Sequence, residues 1–295
     1  MTHRYYGELA ENGCKPHVFT RRPRKNGKIR VGMFSQDFKK HSVSYFMEPL
    51  LKNLDKSKFE LYLYYFGERT DEHTKRYKTY ADKWTEMRAH SSRVDEIRAD
   101  ELDVAFDLGG HTGHQIVLFA QRVAPVQIVF MGYPSTTGLT TMDYRFTDSW
   151  ADPVGEADKW HTEKLVRLDP SGWVFAPPDT AGPVLEPPCL KNGYITFGTF
   201  NNPAKYTDRM FGIWARVMEA VPGSKLIIKG TGLHEDCIAK VLRRRMDAAG
   251  LKNYELLPNN PNQGDHLSAY GQIDIALDPT PFGGHVTTAE ALWMG

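Results

Sequence analysis

Short apolar runs alternate with amphipathic stretches along nearly the whole chain, and that alternation leaves few folds open. From Ile29 the order is IRVGMF, an amphipathic stretch over 43–54, FELYLYYF, and a polar helical stretch near 71–83. VDEIRAD then leads into DVAFDL, residues 115–122 lead into PVQIVFMGY, and MDYRFTD follows. Several of these runs are apolar at consecutive positions, as strands buried on both faces are, so the pattern predicts a mostly parallel sheet covered by helices. The segment 176–188, APPDTAGPVLEPP, is Pro-rich without periodicity and reads as an extended connection. A second alternation follows: YITFGTF, a helix near 207–220, SKLIIKG, a helix near 234–248, YELLP, a short helix at 265–270, IDIALD, and an apolar stretch from Thr287. The expected organisation is therefore two α/β lobes, over 28–188 and 189–295, preceded by a linker over 1–27 that ends in the basic run Arg21, Arg22, Pro23, Arg24, Lys25.

Composition narrows the function classes. The 295 residues carry 37 Lys and Arg against 36 Asp and Glu, a balance without the basic footprint of a nucleic-acid binder. Three scattered cysteines, Cys14, Cys189 and Cys237, form no CxxC pair and no metal or disulfide framework. No run approaches the ~20 apolar residues that span a bilayer, and the first residues lack the apolar core of a signal peptide. A cytosolic chain with neither nucleic-acid nor membrane partners is expected.

Ligands of open α/β sheets bind outside the carboxyl ends of the strands, so the loops that follow each strand carry the candidate chemistry. IRVGMF is followed by a polar loop containing His41 next to helix-capping hydroxyls. DVAFDL runs into Gly109, Gly110, His111 and Thr112, where adjacent glycines permit close backbone approach and Asp107 and His111 offer a carboxylate and an imidazole. IVFMGY leads into Pro134, Ser135, Thr136, Thr137 and Gly138, a hydroxyl-rich loop suited to a sugar or peptide. His41 also reads as a surface or capping histidine, the 109–112 loop as a tight strand-to-helix turn, and the 134–138 loop as a plain turn. IDIALD is followed by Gly283, Gly284, His285, Thr287, Thr288 and Glu290 at the start of an apolar helix, an arrangement that favours an anion through exposed N–H groups and the helix dipole. Lys205, in TFNNPAK, follows the first strand of the second lobe and is placed to neutralise phosphate. The chain contains no Asp-x-Asp triplet, no GxxxxGK[ST] loop and no GxGxxG, so a bound diphosphate would be met by Lys205, the 287–288 hydroxyls and backbone amides, with no metal and no cofactor.

The segments RVGMFSQDFKKHSVSYFMEPLL, DVAFDLGGHTGH, FAQRVAPVQIVFMGYPSTTGLTTMDYRFTD, ITFGTFNNPAKYT, DHLSAYGQIDIALDPTPFGGH and TTAEALWMG together resemble the nucleocytoplasmic O-linked N-acetylglucosamine transferases and their SPINDLY-type relatives. The resemblance implies the GT-B type glycosyltransferase fold with two Rossmann-like lobes, the donor held mainly by the second. It further implies metal-independent inversion that moves N-acetylglucosamine from UDP-GlcNAc to protein Ser or Thr hydroxyls. By likeness, His41 matches the family's active-site His, and Asp107 and His111 match loop residues of proton relay or acceptor contact. Lys205 matches the lysine at the donor diphosphate and Asn202 its polar neighbour. His266 and His285 match nucleotide-contacting histidines, Thr287 a phosphate-contacting Thr, and Glu290 a ribose-binding acid. Gly284 and Thr288 complete the implied donor turn. HRYYGELA is similar to the tail of the TPR-type helical repeats that precede the catalytic part in this family, and members continue past EALWMG, so the second lobe is expected to be incomplete here.

There are departures: Val286 replaces a second phosphate-binding Thr, Ser135 a common Gly, and Asn202 and Ala204 larger groups. They bear on sugar choice, and two alternatives stay open. One is protein O-fucosylation from GDP-fucose. The other is an inactive fragment that binds partners.

Overall fold

β1 (Ile29–Ser35) can sit only in the middle of a sheet, because Val31, Met33 and Phe34 are buried on its two faces together with Ser35. The computed structural model describes residues 2–20, 27–87, 93–178, 181–258 and 263–295, and the chain divides into two units, Met1–Ala176 and Pro177–Gly295. The first contains α1 (Thr2–Glu11), β1, α2 (Ser44–Lys52), β2 (Phe59–Tyr65), α3 (Glu72–Tyr80), β3 (Lys83–Glu86), α4 (Val94–Ala99), β4 (Val104–Asp107), α5 (Ile116–Ala120), β5 (Val126–Val129), β6 (Tyr144–Thr147) and β7 (Lys164–Arg167). The second contains α6 (Cys189–Asn192), β8 (Thr196–Thr199), α7 (Asp208–Ala220), β9 (Lys225–Gly230), α8 (Asp236–Ala248), β10 (Tyr254–Pro258), α9 (Gln263–Ser268), β11 (Ile275–Ala276) and α10 (Val286–Trp293).

The seven strands of the first unit run in the order β3-β2-β1-β4-β5-β6-β7, every neighbouring pair parallel. The four of the second run β10-β9-β8-β11, again all parallel. Both orders are those of doubly wound Rossmann-like sheets, and each reverses once: between β1 and β4 in the first unit, between β8 and β11 in the second.

The first core centres on Phe34, which stacks on Tyr64 at 4.3 Å and meets Phe119 edge-on at 5.1 Å. In the second, α7 starts at Thr207, whose side chain accepts from the Met210 N–H, and buries Met210, Phe211 and Trp214 against β8 and β9 residues such as Phe197, Leu226 and Ile228. Each such fully buried side chain contributes about 1.5–3 kcal/mol.

Several expectations need correction. β3 and β7 were absent from the predicted strands; they are the two edges of the first sheet, and their four-residue sequences, KWTE and KLVR, carry the charges that blunt an edge and hide an apolar run. The unit boundary falls at 176/177 rather than 188/189. Residues 2–11, within the segment read as linker or as the end of a helical-repeat region, form α1, which belongs to the first unit. The basic run Arg21–Lys25 lies outside the described residues.

α1 escapes a periodicity reading because it docks without an apolar stripe: Tyr5, Tyr6 and Leu9 are exposed and its buried residue is Gly7. A Cβ on Gly7 would lie 2.2 Å from the Gly138 carbonyl oxygen, and one on Gly138, itself at φ +75°, would lie 2.1 Å from the His3 carbonyl oxygen. At the far end, Glu11 Oε1 accepts from the Thr140 N–H at 2.8 Å and the Thr141 N–H at 3.0 Å.

Gly7→Ala therefore sets two effects against each other. Alanine favours an isolated helix by about 1 kcal/mol, but its methyl overlaps a backbone oxygen that cannot move aside, and overpacking of that kind costs about 1–3 kcal/mol. The clash wins. Hydrogen exchange should show residues 2–11 losing protection by tenfold or so while the β1–β5 amides keep theirs; unchanged protection of α1 would refute the backbone-contact account.

Candidate functional site

The first reversal of strand order places two of the predicted loops side by side. Phe34 pairs with Asp107 in the register of β1 and β4, and the Leu108 N–H donates to the Phe34 carbonyl at 3.1 Å. The loops that leave these strands are tied together where Gln36 Nε2 donates to the Thr112 carbonyl at 2.9 Å. His41 lies half exposed just before α2; its Nδ1 accepts from the Val43 N–H at 3.3 Å and stands 3.8 Å from the Asp37 carboxylate. In the neutral ring the proton therefore sits on Nε2.

Asp107 is fully buried rather than presented at the loop surface. Its Oδ1 accepts from the Gly109 N–H and the Gly110 N–H, both at 3.0 Å, and from Gln115 Nε2 at 2.9 Å, while Oδ2 has no hydrogen-bond partner among the described residues. Burial raises its pKa, opposed by those donors. The carboxyl thus builds the GGH turn, and the turn presents His111.

His111 Nε2 meets the Thr137 carbonyl at 2.6 Å, and its ring lies 5.5 Å from Tyr133 and 5.3 Å from His3 of α1. Sequence reasoning missed His3 and Tyr133, which hydrogen-bond at 2.6 Å, and Arg145, which donates to the Tyr133 carbonyl at 2.8 Å from a buried position. Arg145 is the second residue of β6, a site that no motif marks.

In the second unit, the reversal between β8 and β11 opens a cavity of about 370 Å³ lined by Phe200, Asn201, Tyr270, Asp278, Thr287 and Thr288. Lys205 stands at this end of the sheet: Nζ donates to Asn201 Oδ1 at 3.2 Å and to the Gly283 carbonyl at 2.8 Å, and lies over the Phe282 ring, 4.8 Å from its centroid. Desolvation lowers the Lys205 pKa, with Asp278 acting the other way. Asn202, the expected polar neighbour, is exposed and caps a short turn by accepting from the Ala204 N–H; its buried twin Asn201 joins the cluster instead and also accepts from Thr287 Oγ1 at 3.0 Å.

Asp278 organises the glycine turn. Its Oδ1 accepts from the Gly284 N–H at 2.7 Å and from Thr288 Oγ1 at 3.3 Å. A Cβ on Gly284 would come within 2.3 Å of Thr288 Oγ1 and 2.6 Å of Asp278 Oδ1, so a side chain there would have to displace both. His285 precedes α10 at its N-cap, and desolvation first and Lys205 second lower its pKa. Glu290 is 3% exposed, and its Oε2 accepts from Tyr270 Oη at 3.2 Å and lies 3.0 Å from His266 Nε2. His266 Nδ1 is 2.6 Å from Nζ of the buried Lys229. Glu290 and His266 are thus locked to each other beneath the turn, with Lys229 and Tyr270 as partners the sequence did not flag. No group of three or more His, Cys, Asp or Glu side chains suited to a metal occurs among the described residues. No helix among them is long and apolar enough to cross a membrane.

The direction of the Asp107 shift yields a test. A carboxyl whose folded pKa is raised binds its proton more tightly in the folded chain, so its contribution is full below the unfolded value of about 3.9 and is lost as pH rises through the folded pKa. Asp107→Asn removes that loss. Urea denaturation of both proteins should show the wild type losing stability relative to the variant as pH increases above about 4; parallel curves would mean that Asp107 is not shifted upward.

Residues 12–174 match the model of glycosyl transferase family 41. The probable UDP-N-acetylglucosamine–peptide N-acetylglucosaminyltransferase SPINDLY of Arabidopsis thaliana is 40% identical over 276 residues, covering 90% of this chain and 30% of the relative. The protein SEC of the same plant, whose name describes the same probable activity, is 26% identical over 282 residues, or 91% of this chain and 28% of the relative. Among solved structures, a mutant of the Thermobaculum terrenum O-GlcNAc transferase superposes with a TM-score of 0.91 at 31% identity, covering 99% of this chain and 56% of that one. This chain therefore spans about a third of the length of the plant relatives. The expected fold, two Rossmann-like α/β units of the GT-B type, is the one observed. By a match across more than half of its residues, the chain belongs to glycosyl transferase family 41.

Proposed function

We propose that the chain carries the donor and catalytic loops of an inverting, metal-independent transferase that moves N-acetylglucosamine from UDP-GlcNAc to Ser or Thr hydroxyls of proteins. The observation that carries this reading is Lys205, held by Asn201, the Gly283 carbonyl and the Phe282 ring, at the strand-order reversal and beside the start of α10. The first N–H groups of a helix lack intrahelical acceptors and, with the helix dipole, favour a diphosphate. As the bond between the anomeric carbon and the diphosphate breaks, negative charge grows on the departing oxygen, and a cation already desolvated and oriented there stabilises it without reorganisation. The acceptor hydroxyl oxygen forms the new bond to the anomeric carbon, and its proton passes to an imidazole of the first unit, His41 or His111. Asp107 acts through the loop it builds. The sugar and acceptor class follow the plant relatives, whose names describe probable peptide N-acetylglucosaminyl transfer.

The test is mass spectrometry of acceptor protein incubated with the chain and UDP-GlcNAc or, separately, GDP-fucose. Addition of an N-acetylhexosamine only, undiminished by EDTA, is expected. A deoxyhexose adduct would transfer the assignment to fucose, and no adduct from either donor would leave a binding module. Lys205→Ala should lower turnover about 100-fold or more; an unaffected rate in that variant would remove Lys205 from the leaving-group site.

A further inference from the structure

Glu163 is a buried carboxylate that the transfer reaction has not used. It lies immediately before β7, is 4% exposed, and spends both oxygens on the loop after β5. Oε2 accepts from Thr136 Oγ1 at 2.6 Å; Oε1 accepts from the Thr137 N–H at 2.7 Å and from the Thr137 hydroxyl. Thr136 Oγ1 in turn accepts from the Thr162 N–H at 3.3 Å, the residue next to Glu163, so the two segments are cross-braced. Thr137 is therefore fixed from its own N–H and side chain, and what remains of its peptide, the carbonyl, meets His111 Nε2 at 2.6 Å.

A carbonyl oxygen can only accept, so at that distance Nε2 must carry the proton, in the neutral ring as well as in the imidazolium. The lone pair of neutral His111 is then on Nδ1, which has no hydrogen bond among the described residues. The rings that flank His111 do not compete for it: His3 Nε2 is engaged with Tyr133 Oη at 2.6 Å, and both contact His111 through ring faces and edges. An imidazole that accepts a proton needs a third group to hold its tautomer, and a carboxylate commonly fills that place directly. Here the carboxylate stands one residue back and acts through a backbone carbonyl.

We infer that Glu163 and Thr137 are positioning residues that hold His111 in the Nε2–H tautomer and so make Nδ1 its proton-accepting atom. The kinetic part of this inference rests on the transferase reading; the tautomer does not.

The chain labelled with ¹⁵N-histidine should show, at a pH where the ring is neutral, a protonated pyrrole-type Nε2 and a bare imine-type Nδ1 for His111, assigned against His111→Asn. Glu163→Ala should mix the two tautomers and lower kcat roughly 10-fold or more, with the KM for the nucleotide sugar unchanged. Glu163→Gln, whose amide oxygen can still accept from Thr137 while its NH₂ donates to Thr136, should restore both signal and rate. Thr137→Val, which deletes one hydroxyl, gives a milder lesion should Glu163→Ala fail to fold, and should broaden or split the His111 signal. A proton on Nδ1 in the wild type overturns the inference, and so does a folded Glu163→Ala whose His111 signals and kcat match the wild type. A bare Nδ1 in a wild-type chain that transfers no sugar upholds the positioning and overturns the transferase reading instead.

Discussion

A parallel strand cannot return to its neighbour by a hairpin, and the rest of this structure depends on that constraint. Each strand must be followed by a crossover, and the crossovers of one sheet must go to both faces, so the order of strands reverses once. At β1/β4 and at β8/β11 the two loops leaving adjacent strands diverge, which opens a gap at the carboxyl edge of each sheet. His41 and the Asp107–His111 turn stand at the first gap; Asn201, Lys205 and the 278–288 turn stand at the second. The positions of these groups in sequence, scattered over 160 residues and more, become intelligible once the strand order is known.

Four carboxyls, of which Asp107, Glu163 and Glu290 are buried and Asp278 is exposed, convert these gaps into shaped sites. Asp107, Glu163, Asp278 and Glu290 each accept from a backbone N–H, hydroxyl, imidazole or amide of a loop that would otherwise be irregular. A carboxylate removed from water is costly unless its oxygens are met by donors, and loops rich in glycine and threonine supply those donors in abundance. The same burial that penalises the charge makes the arrangement stiff. A histidine or lysine mounted on such a loop keeps one orientation, which is what a proton acceptor or an anion clamp needs.

Much of this was legible in the sequence, and the failures have identifiable causes. The central strands announced themselves because burial on both faces demands apolar residues at consecutive positions, as in β1, β2 and β9. The edges β3 and β7 did not, since an edge is kept from pairing by the very charges that erase the pattern. Lys205, His285 and the 284–288 turn were legible as loop residues following strands of the second unit, and the structure places them after β8 and β11. Asn201 and Asn202 are indistinguishable in the sequence, and the chain's course after β8 decides that Asn201 bonds Lys205 while Asn202 caps the turn. Glu163, Tyr133, Lys229 and Tyr270 were out of reach: each acts on a partner more than 15 residues away, through contacts that only the folded sheet creates.

The docking of α1 has a thermal consequence. The two sheet cores are held by apolar burial, whose strength fades on cooling and gives unfolding its large heat-capacity change. The seam between α1 and the loop at 138–141 is made of a glycine–glycine backbone approach and a carboxylate on two threonines, with Tyr5, Tyr6 and Leu9 left in water. Apart from Ala10, which packs on the first core, the helix brings little apolar surface to this seam, so its free energy follows temperature with less curvature than those of the cores. In the cold, the attachment of the helix at the start of the chain weakens less than the cores do.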